Sequence, residues 1–363
     1  MLEEGKVIME GKMKAVVLQG PGKYDVEMID IPKPEYGEVL VKVMAVSICG
    51  SDPRLFSGGS RNNGWPPKYP FVLGHEFAGE VVELGEGVTK FKVGDRVAGE
   101  AHCGCGICEN CMKGLYNLCL NYGVEGSGHH HYGHNTMGCY AQYERYSIKV
   151  LTPLPDSISY DEGTMTDTAG TAYNAIRLTG VEPGGYTAVI GPGPMGIFAM
   201  QIAKALGSQT IMIGRGHRLE VAKELGADHC INFEETDDVV AAVRMITGGI
   251  GADQVIEAAG TQSAFMECIP MAKKNGHVAF ITIPGEDGQM IAAKSLVMNQ
   301  VTLHGVRANP NCSATVLRLA EQGRLNLKGL ITHVFPIDQV HEAFDTFIHR
   351  KDGAVKVVIH PQD

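Results

Sequence analysis

Three absences narrow the field before any motif is read. No uninterrupted apolar run approaches the roughly 18 residues that a bilayer-spanning helix requires. No run of lysines and arginines is present to track a phosphate backbone, and 41 acidic residues against 31 basic ones leave a formal charge of -10. Nucleic acid and membrane are therefore not expected partners. The segment from Met1 to Lys12 carries acids and lacks the apolar stretch of an export signal, so a cytoplasmic protein is expected. Trp65 is the single tryptophan, and no internal repeat or low-complexity tract stands out beyond one histidine-rich segment.

Ten cysteines in a chain expected inside the cell favour metal ligation and free thiols over disulfides. Four are closely spaced, in Cys105-Gly-Ile-Cys108-Glu-Asn-Cys111 and then Cys119. Steps of this length turn the sulfurs toward one point, and four thiolates close on a zinc ion with no position left for a substrate. Cys105, Cys108, Cys111 and Cys119 are read as a structural zinc site in a lobe of about residues 100–122. The alternatives are a pair of disulfides or unrelated thiols. Cys103 offers a fifth sulfur, but the spacing favours Cys105.

At 363 residues the chain is long for a single core, so two domains are expected. The first part reads as β-rich, with strand-like runs Met13 to Leu18, Glu38 to Met44 and Glu80 to Val82 punctuated by glycine turns such as Gly94-Asp-Arg-Val97. Composition changes near residue 170. Strand candidates Thr187 to Ile190, Thr210 to Ile213, Gln254 to Glu257 and His277 to Ile281 then alternate with helical stretches, among them Arg218 to Leu225 and Asp237 to Ile246. That alternation demands a parallel sheet with helices on both faces, an α/β fold.

The turn Gly191-Pro-Gly193-Pro194-Met195-Gly196 directly follows one of those strands and opens a helix. In that context Gly191 makes the tight turn, Gly193 lets backbone approach a pyrophosphate, and Gly196 permits close helix packing. The bland reading is a glycine turn that merely packs. The next strand ends Ile213-Gly214-Arg215 with no carboxylate to hold the ribose diol of NAD. Arg215 and Arg218 suit the 2′-phosphate of NADP, which is the preferred cofactor, with NAD as the alternative. An exposed arginine after a strand is also ordinary surface.

Cys49, the pair His75-Glu76 and an acid further along are the residue types of a zinc site with three protein ligands and one open position. Taken singly, such a cysteine or histidine is more often core. Together, in order, Cys49-Gly-Ser51-Asp52, Gly74-His75-Glu76, Gly94-Asp-Arg-Val97, the four-cysteine loop and Gly191-x-Gly-x-x-Gly196 make the chain from Met13 onward resemble the zinc-containing medium-chain dehydrogenases, which include alcohol, polyol and threonine dehydrogenases.

The resemblance implies a GroES-like β-rich catalytic domain, residues 1–169 and 307–363, around a Rossmann domain, residues 170–306. It implies two zinc ions per chain, one structural and one catalytic, and a homodimer or homotetramer. Cys49 and His75 correspond to catalytic-zinc ligands, Glu76 to the neighbouring acid that approaches the metal, and Asp167 to the third fixed ligand, with Asp161 and Glu162 as fallbacks. Ser51 corresponds to the hydroxyl that passes the alcohol proton outward, and Asp52 to an acceptor orienting His75. Where many relatives finish the proton relay with histidine, this chain has Arg54, which does not exchange protons at neutral pH. The implied reaction is hydride transfer between a secondary alcohol and NAD(P) through a zinc-bound alkoxide, with a polyol, sugar or related small hydroxylated compound as substrate.

The segment Gly126 to Gly138 looks like an insertion relative to typical members. His129, His130, His131 and His134 are expected to line the substrate entrance or to supply the proton relay; a solvated polar loop and, more weakly, a third metal site are the alternatives. Trp65 among prolines reads as a pocket wall or a loop anchor. Competing functions are a threonine-type amino-alcohol dehydrogenase, a catalytically idle nucleotide-binding or structural protein on this fold, and a zinc-free enoyl or quinone reductase, against which the cysteine loop counts.

Overall fold

Runs of β-branched residues fit the pleated sheet sterically, and here they pair within two units, Met1–Asp167 with Leu330–Asp363, and Thr168–Gly329. The computed structural model describes residues 10–284 and 288–363; the first nine residues of the polar leader lie outside the described residues. Among the described residues no helix is long and apolar enough to cross a membrane.

The first unit opens with strands β1 (Lys12–Gly20), β2 (Lys23–Asp30), β3 (Glu38–Ser47), β4 (Phe71–Val72), β5 (Phe77–Leu84), β6 (Arg96–Gly99), β7 (His102–Cys103), β8 (His130–His131), β9 (Tyr143–Ser147) and β10 (Leu151–Pro153). The second unit supplies β11 (Tyr186–Ile190), β12 (Gln209–Gly214), β13 (His229–Asn232), β14 (Ala252–Glu257), β15 (Ala272–Phe280) and β16 (Thr302–Gly305). The chain then returns to the first unit with β17 (Ile331–Pro336) and β18 (Lys356–His360).

In the first unit β10-β6-β5-β3-β18-β17 form the main sheet, with β9 also on β3, while β2-β1-β4 and β7-β8 stand apart. Val39, Val41 and Val43 of β3, Phe77 and Val81 of β5, and Val357 and Ile359 of β18 bury their alternate side chains in one core. The C-terminal strand enters this sheet antiparallel to β3, in the register Val358 opposite Ser47 and Ile359 opposite Val46. Residues 47 and 356 thereby become neighbours. That juxtaposition matters at the metal-ligand cluster.

The second unit is a six-stranded sheet in the order β13-β12-β11-β14-β15-β16, every pair parallel. Parallel neighbours need crossovers, provided by helices such as Pro194–Ala205, Gly216–Glu224, Val239–Ile246 and Gln262–Met271. Strand order reverses between β11 and β14, the point at which such sheets bind ligands beyond their carboxyl ends. This unit extends to Gly329, past the expected boundary at residue 306. The helix Ser313–Glu321 and the turn after it stay with it, since the Asn326 amide donates to Gln201 Oε1 at 2.8 Å.

Candidate active site

Sulfur geometry comes first, because it is the most local. The ligand atoms of Cys105, Cys108, Cys111 and Cys119 all lie within 4.8 Å of one another. Cys105–Cys111 and Cys108–Cys119 are each 3.9 Å apart, sulfur to sulfur. A tetrahedron with zinc–sulfur arms of ~2.3 Å has edges of about 3.8 Å, so the four thiols fit a zinc ion. Backbone N–H groups help: donation from Ile107 pulls the Cys105 thiol down to about 6, which favours the thiolate a metal needs. Gly104 is required here, since a Cβ would stand 2.5 Å from the Cys111 sulfur. Cys103 is outside the group, buried on β7, with its thiol pushed up by burial.

The second cluster is assembled from two loops. Cys49 follows β3, and His75 and Glu76 precede β5; their ligand atoms all lie within 4.8 Å of one another. His75 and Glu76 are buried and Cys49 is half-buried. Burial pulls the His75 imidazole down, yet the Cys49 thiolate, Asp52 and Glu76 together raise it to about 10. A pocket that holds a proton so firmly is a site for positive charge, and thiolate, imidazole and carboxylate are a zinc donor set. Asp52 is clamped through Oδ2 by the Cys49 amide at 2.8 Å and the Tyr140 hydroxyl at 2.7 Å. Its Oδ1 lies 3.7 Å from His75 Nδ1, an approach between charged groups longer than a hydrogen bond.

Asp167, expected as the third ligand, is not among the residues whose ligand atoms lie within 4.8 Å of one another, whereas Glu76, expected as the neighbouring acid, is. Asp167 is near enough to feel His75, Glu76 and Lys356, and burial raises its carboxyl to about 6. The fallback acids are engaged elsewhere. Glu162 completes a capping box with Ser159, and Asp161 Oδ1 pairs with His360 Nε2 at 2.7 Å. Ser51 is half-buried at the start of the helix Asp52–Phe56, while Arg54 in that helix is exposed and donates to the Gly59 carbonyl.

Sequence reasoning missed Lys356. Its side chain is 3% exposed, and its ammonium pairs with Glu76 Oε2, which also accepts from the Ser47 hydroxyl. Burial raises the Glu76 carboxyl, but Lys356, His75 and the Ser47 hydroxyl together outweigh it and the net shift is downward. No local pattern around Lys356 announces this. Only the β18–β3 pairing brings it within reach of Glu76.

The histidine segment is not a solvated loop. His129, His131 and His134 are buried, and only His130 is half-buried. The reason is backbone docking: Gly138 N donates to the Val72 carbonyl and Cys139 N to the Gly74 carbonyl, and a Cβ at Gly133 would stand 2.2 Å from the Gly74 oxygen. His131 and His134 stack at 3.7 Å and 6°, and His131 and His102 at 3.9 Å and 13°. Trp65 meets His131 and His134 edge-on, at 5.3 and 5.0 Å. Stacked rings present faces rather than N–H edges, so this column does not pass protons ring to ring. Among the described residues the histidines also fall in neither group with metal-ligand spacing.

In the second unit the glycine turn follows β11, with Gly193 capping the helix Pro194–Ala205 and Pro194 in its first turn. Gly191 has φ 103°, and its Cβ would stand 2.8 Å from the Ala258 backbone; a Cβ on Gly196 would stand 2.0 Å from the Gly191 oxygen. Gly193 has open space where a Cβ would point, which is room for a pyrophosphate against the helix amino end. Met195 lies beside it in the first turn of the same helix, half-buried. The loop after β14 is held by Glu257, which accepts from the Ala259 and Gly260 amides at 2.7 and 2.6 Å.

β12 ends without an acid, as its sequence reads, but the neighbouring strand brings one close. Glu234, just past β13, accepts from Arg215 at 2.5 Å, and the guanidinium lies 5.5 Å from the Phe233 ring. Parallel pairing of Gly214 with Asn232 carries this acid to the place that the sequence after β12 left without one. Arg218 is half-buried in the helix that follows.

Thiolate, imidazole and carboxylate donors in a chain that also carries a dinucleotide-binding turn define a zinc-dependent NAD(P) oxidoreductase. Comparison with known proteins agrees. Residues 35–156 match the Alcohol dehydrogenase GroES-like domain and residues 194–322 the Zinc-binding dehydrogenase domain. The chain is 32% identical to sorbitol dehydrogenase of Bacillus subtilis over 351 residues, covering 96% of this chain and 97% of that one. It is 33% identical to L-threonine 3-dehydrogenase of Bacillus licheniformis over 362 residues, covering 97% and 100%. Solved structures include a short chain alcohol dehydrogenase of E. coli with NADH (TM-score 0.86, 27% identity, 96% and 99% covered) and a putative zinc-binding dehydrogenase of Sinorhizobium meliloti with NADP (0.86, 28%, 97% and 100%). The chain belongs to the zinc-containing medium-chain dehydrogenase family. It is an enzyme of that family's alcohol-oxidising class.

Proposed function

We propose that this protein oxidises a secondary alcohol of a polyol, sugar or similar small hydroxylated compound with NADP. Its catalytic zinc is held by Cys49, His75 and Glu76, and a second, structural zinc by Cys105, Cys108, Cys111 and Cys119. The observation that carries this reading is the convergence of Cys49, His75 and Glu76 within 4.8 Å. When bound there, zinc supplies a Lewis acid that lowers the pKa of an alcohol hydroxyl. Cys49 and Glu76 offset its charge, and Asp52 keeps the His75 ring oriented. Ser51, beside Cys49 in sequence, accepts the alcohol proton; Arg54 does not carry it further, so it leaves through water or the cofactor ribose. Asp167 is a further carboxyl in electrostatic reach of His75 and Glu76, and Gly191, Gly193 and Gly196 seat the pyrophosphate.

The cofactor assignment rests on Arg215. Its pair with Glu234 is exposed on both sides, 61% and 52%, and such pairs are worth little, so a 2′-phosphate can displace the carboxylate at small cost. Arg215→Ala is expected to raise KM for NADP about tenfold with KM for NAD nearly unchanged, and Glu234→Gln to lower KM for NADP. Steady-state kinetics with both cofactors checks this, and a strong NAD preference in the wild type overturns it. A cytoplasmic homo-oligomer is the accompanying proposal. Among the described residues the edge strand β16 pairs only with β15, and Val297 and Met298 just before it are 76% and 72% exposed.

The deciding experiment is metal analysis with an activity screen over alcohols, polyols, sugars and threonine. Two zinc ions per chain and turnover of a hydroxylated substrate are expected. Nucleotide binding without turnover of any of them sinks the proposal, and turnover of threonine alone moves it to the amino alcohols.

A further inference from the structure

Lys356 has no part in the reaction as described, yet a buried ammonium is costly and calls for a reason. Besides Glu76 Oε2 it donates to the Ser47 hydroxyl at 3.3 Å and the Ile48 carbonyl at 3.2 Å. The Ser47 hydroxyl in turn donates to the same Glu76 oxygen. One oxygen of a carboxylate in the metal-ligand group thus carries two donors, from residues 280 and 29 positions away.

We propose that Lys356 is a positioning residue that, with Ser47, restricts Glu76 to one oxygen on the catalytic metal and so keeps a coordination position open for the alcohol. This rests on reading Cys49, His75 and Glu76 as that metal's ligands. A carboxylate binds a metal through one oxygen or two. With Oε2 committed to Lys356, the protein contributes one sulfur, one nitrogen and one oxygen, which leaves a tetrahedral ion its fourth place. Without Lys356 the second oxygen is drawn to the ion, because the ion is then the only cation left to compensate a buried carboxylate. The ammonium also competes for the carboxylate's charge, so the ion remains more electrophilic toward an alcohol.

The test uses the full chain with cobalt(II) exchanged into the catalytic site, comparing wild type, Lys356→Met and Lys356→Arg. In Lys356→Met the visible cobalt bands are expected to weaken and shift as coordination rises from four to five. Removal of the metal by a chelator slows about tenfold, and kcat falls about 10–100-fold with KM little changed. Lys356→Arg restores the wild-type spectrum. Unchanged cobalt bands with unchanged or faster metal loss in Lys356→Met overturn the proposal, even if kcat falls. Should that variant not fold, Ser47→Ala removes the other contact to Oε2 and is expected to shift the same bands in the same direction; no shift there overturns it as well. Failure of the ligand reading itself shows separately, as a Cys49→Ala protein that still binds two metal ions.

Discussion

Cys49→Ala is expected to yield a folded protein that retains one zinc ion instead of two and has lost at least about a thousandfold in hydride transfer. Folding is spared because Cys49 is half-buried in a loop after β3, and the substitution removes one sulfur rather than a large core side chain. Chemistry is not spared. His75 and Glu76 alone are an incomplete donor set, so the site empties, and with it goes the charge that makes an alcohol acidic near neutral pH. The four-cysteine site contains no part of this cluster and keeps its ion. Metal content by mass spectrometry and single-turnover absorbance of the reduced nicotinamide check both halves. Full turnover in Cys49→Ala would remove the metal from the mechanism altogether.

Cys111→Ser has the largest expected effect on stability. The lobe around it has little regular structure: a two-residue strand, the four-residue helix Glu109–Met112 and the short turn Tyr116–Leu118. It has no core of its own either, since Ile107, Met112 and Leu120 are 79%, 74% and 63% exposed. Besides hydrogen bonds such as Asn110 Nδ2 to the Leu118 carbonyl at 2.7 Å, the proposed zinc is the cross-link expected to hold such a segment. Structural zinc contributes on the order of 10 kcal/mol in small zinc domains, so losing one thiolate corner here is expected to cost at least about 3 kcal/mol. In a domain of this size that lowers Tm by roughly 6–12 °C. Calorimetry with metal analysis measures it, and limited proteolysis should open new cuts between residues 104 and 120. An unchanged Tm with one zinc lost would mean that the lobe folds without its metal.

The four-cysteine site was legible because its ligands lie within fifteen positions, where spacing alone dictates which sulfurs meet. The glycine turn was legible from its spacing after an apolar strand, and Gly196 answers to the Gly191 oxygen five residues back, although the Ala258 backbone that crowds Gly191 comes from a distant strand end. The open metal cluster was readable only in part. Cys49 and His75 meet as anticipated, and Glu76, expected as the neighbouring acid, stands in the group with them, whereas Asp167, which the family resemblance implied as the third fixed ligand, does not. Lys356 and Ser47 both hold the Glu76 carboxylate through Oε2, and neither contact is readable from the sequence around Glu76. For the histidine segment the sequence left a solvated polar loop open beside a role at the substrate entrance; backbone docking on Gly74 buries His129, His131 and His134 and so excludes the solvated loop.

By itself the sequence determined the two-unit architecture, the strand and helix runs, the thiolate set and the nucleotide turn, because each follows from side-chain periodicity or from spacing within a few turns of chain. Tertiary structure alone decided that Lys356 faces Glu76 from 280 positions away and that Glu234 meets Arg215 across neighbouring strands. Both encounters depend on strand register, β18 against β3 and β13 against β12, and register is a property of paired strands that neither strand carries alone.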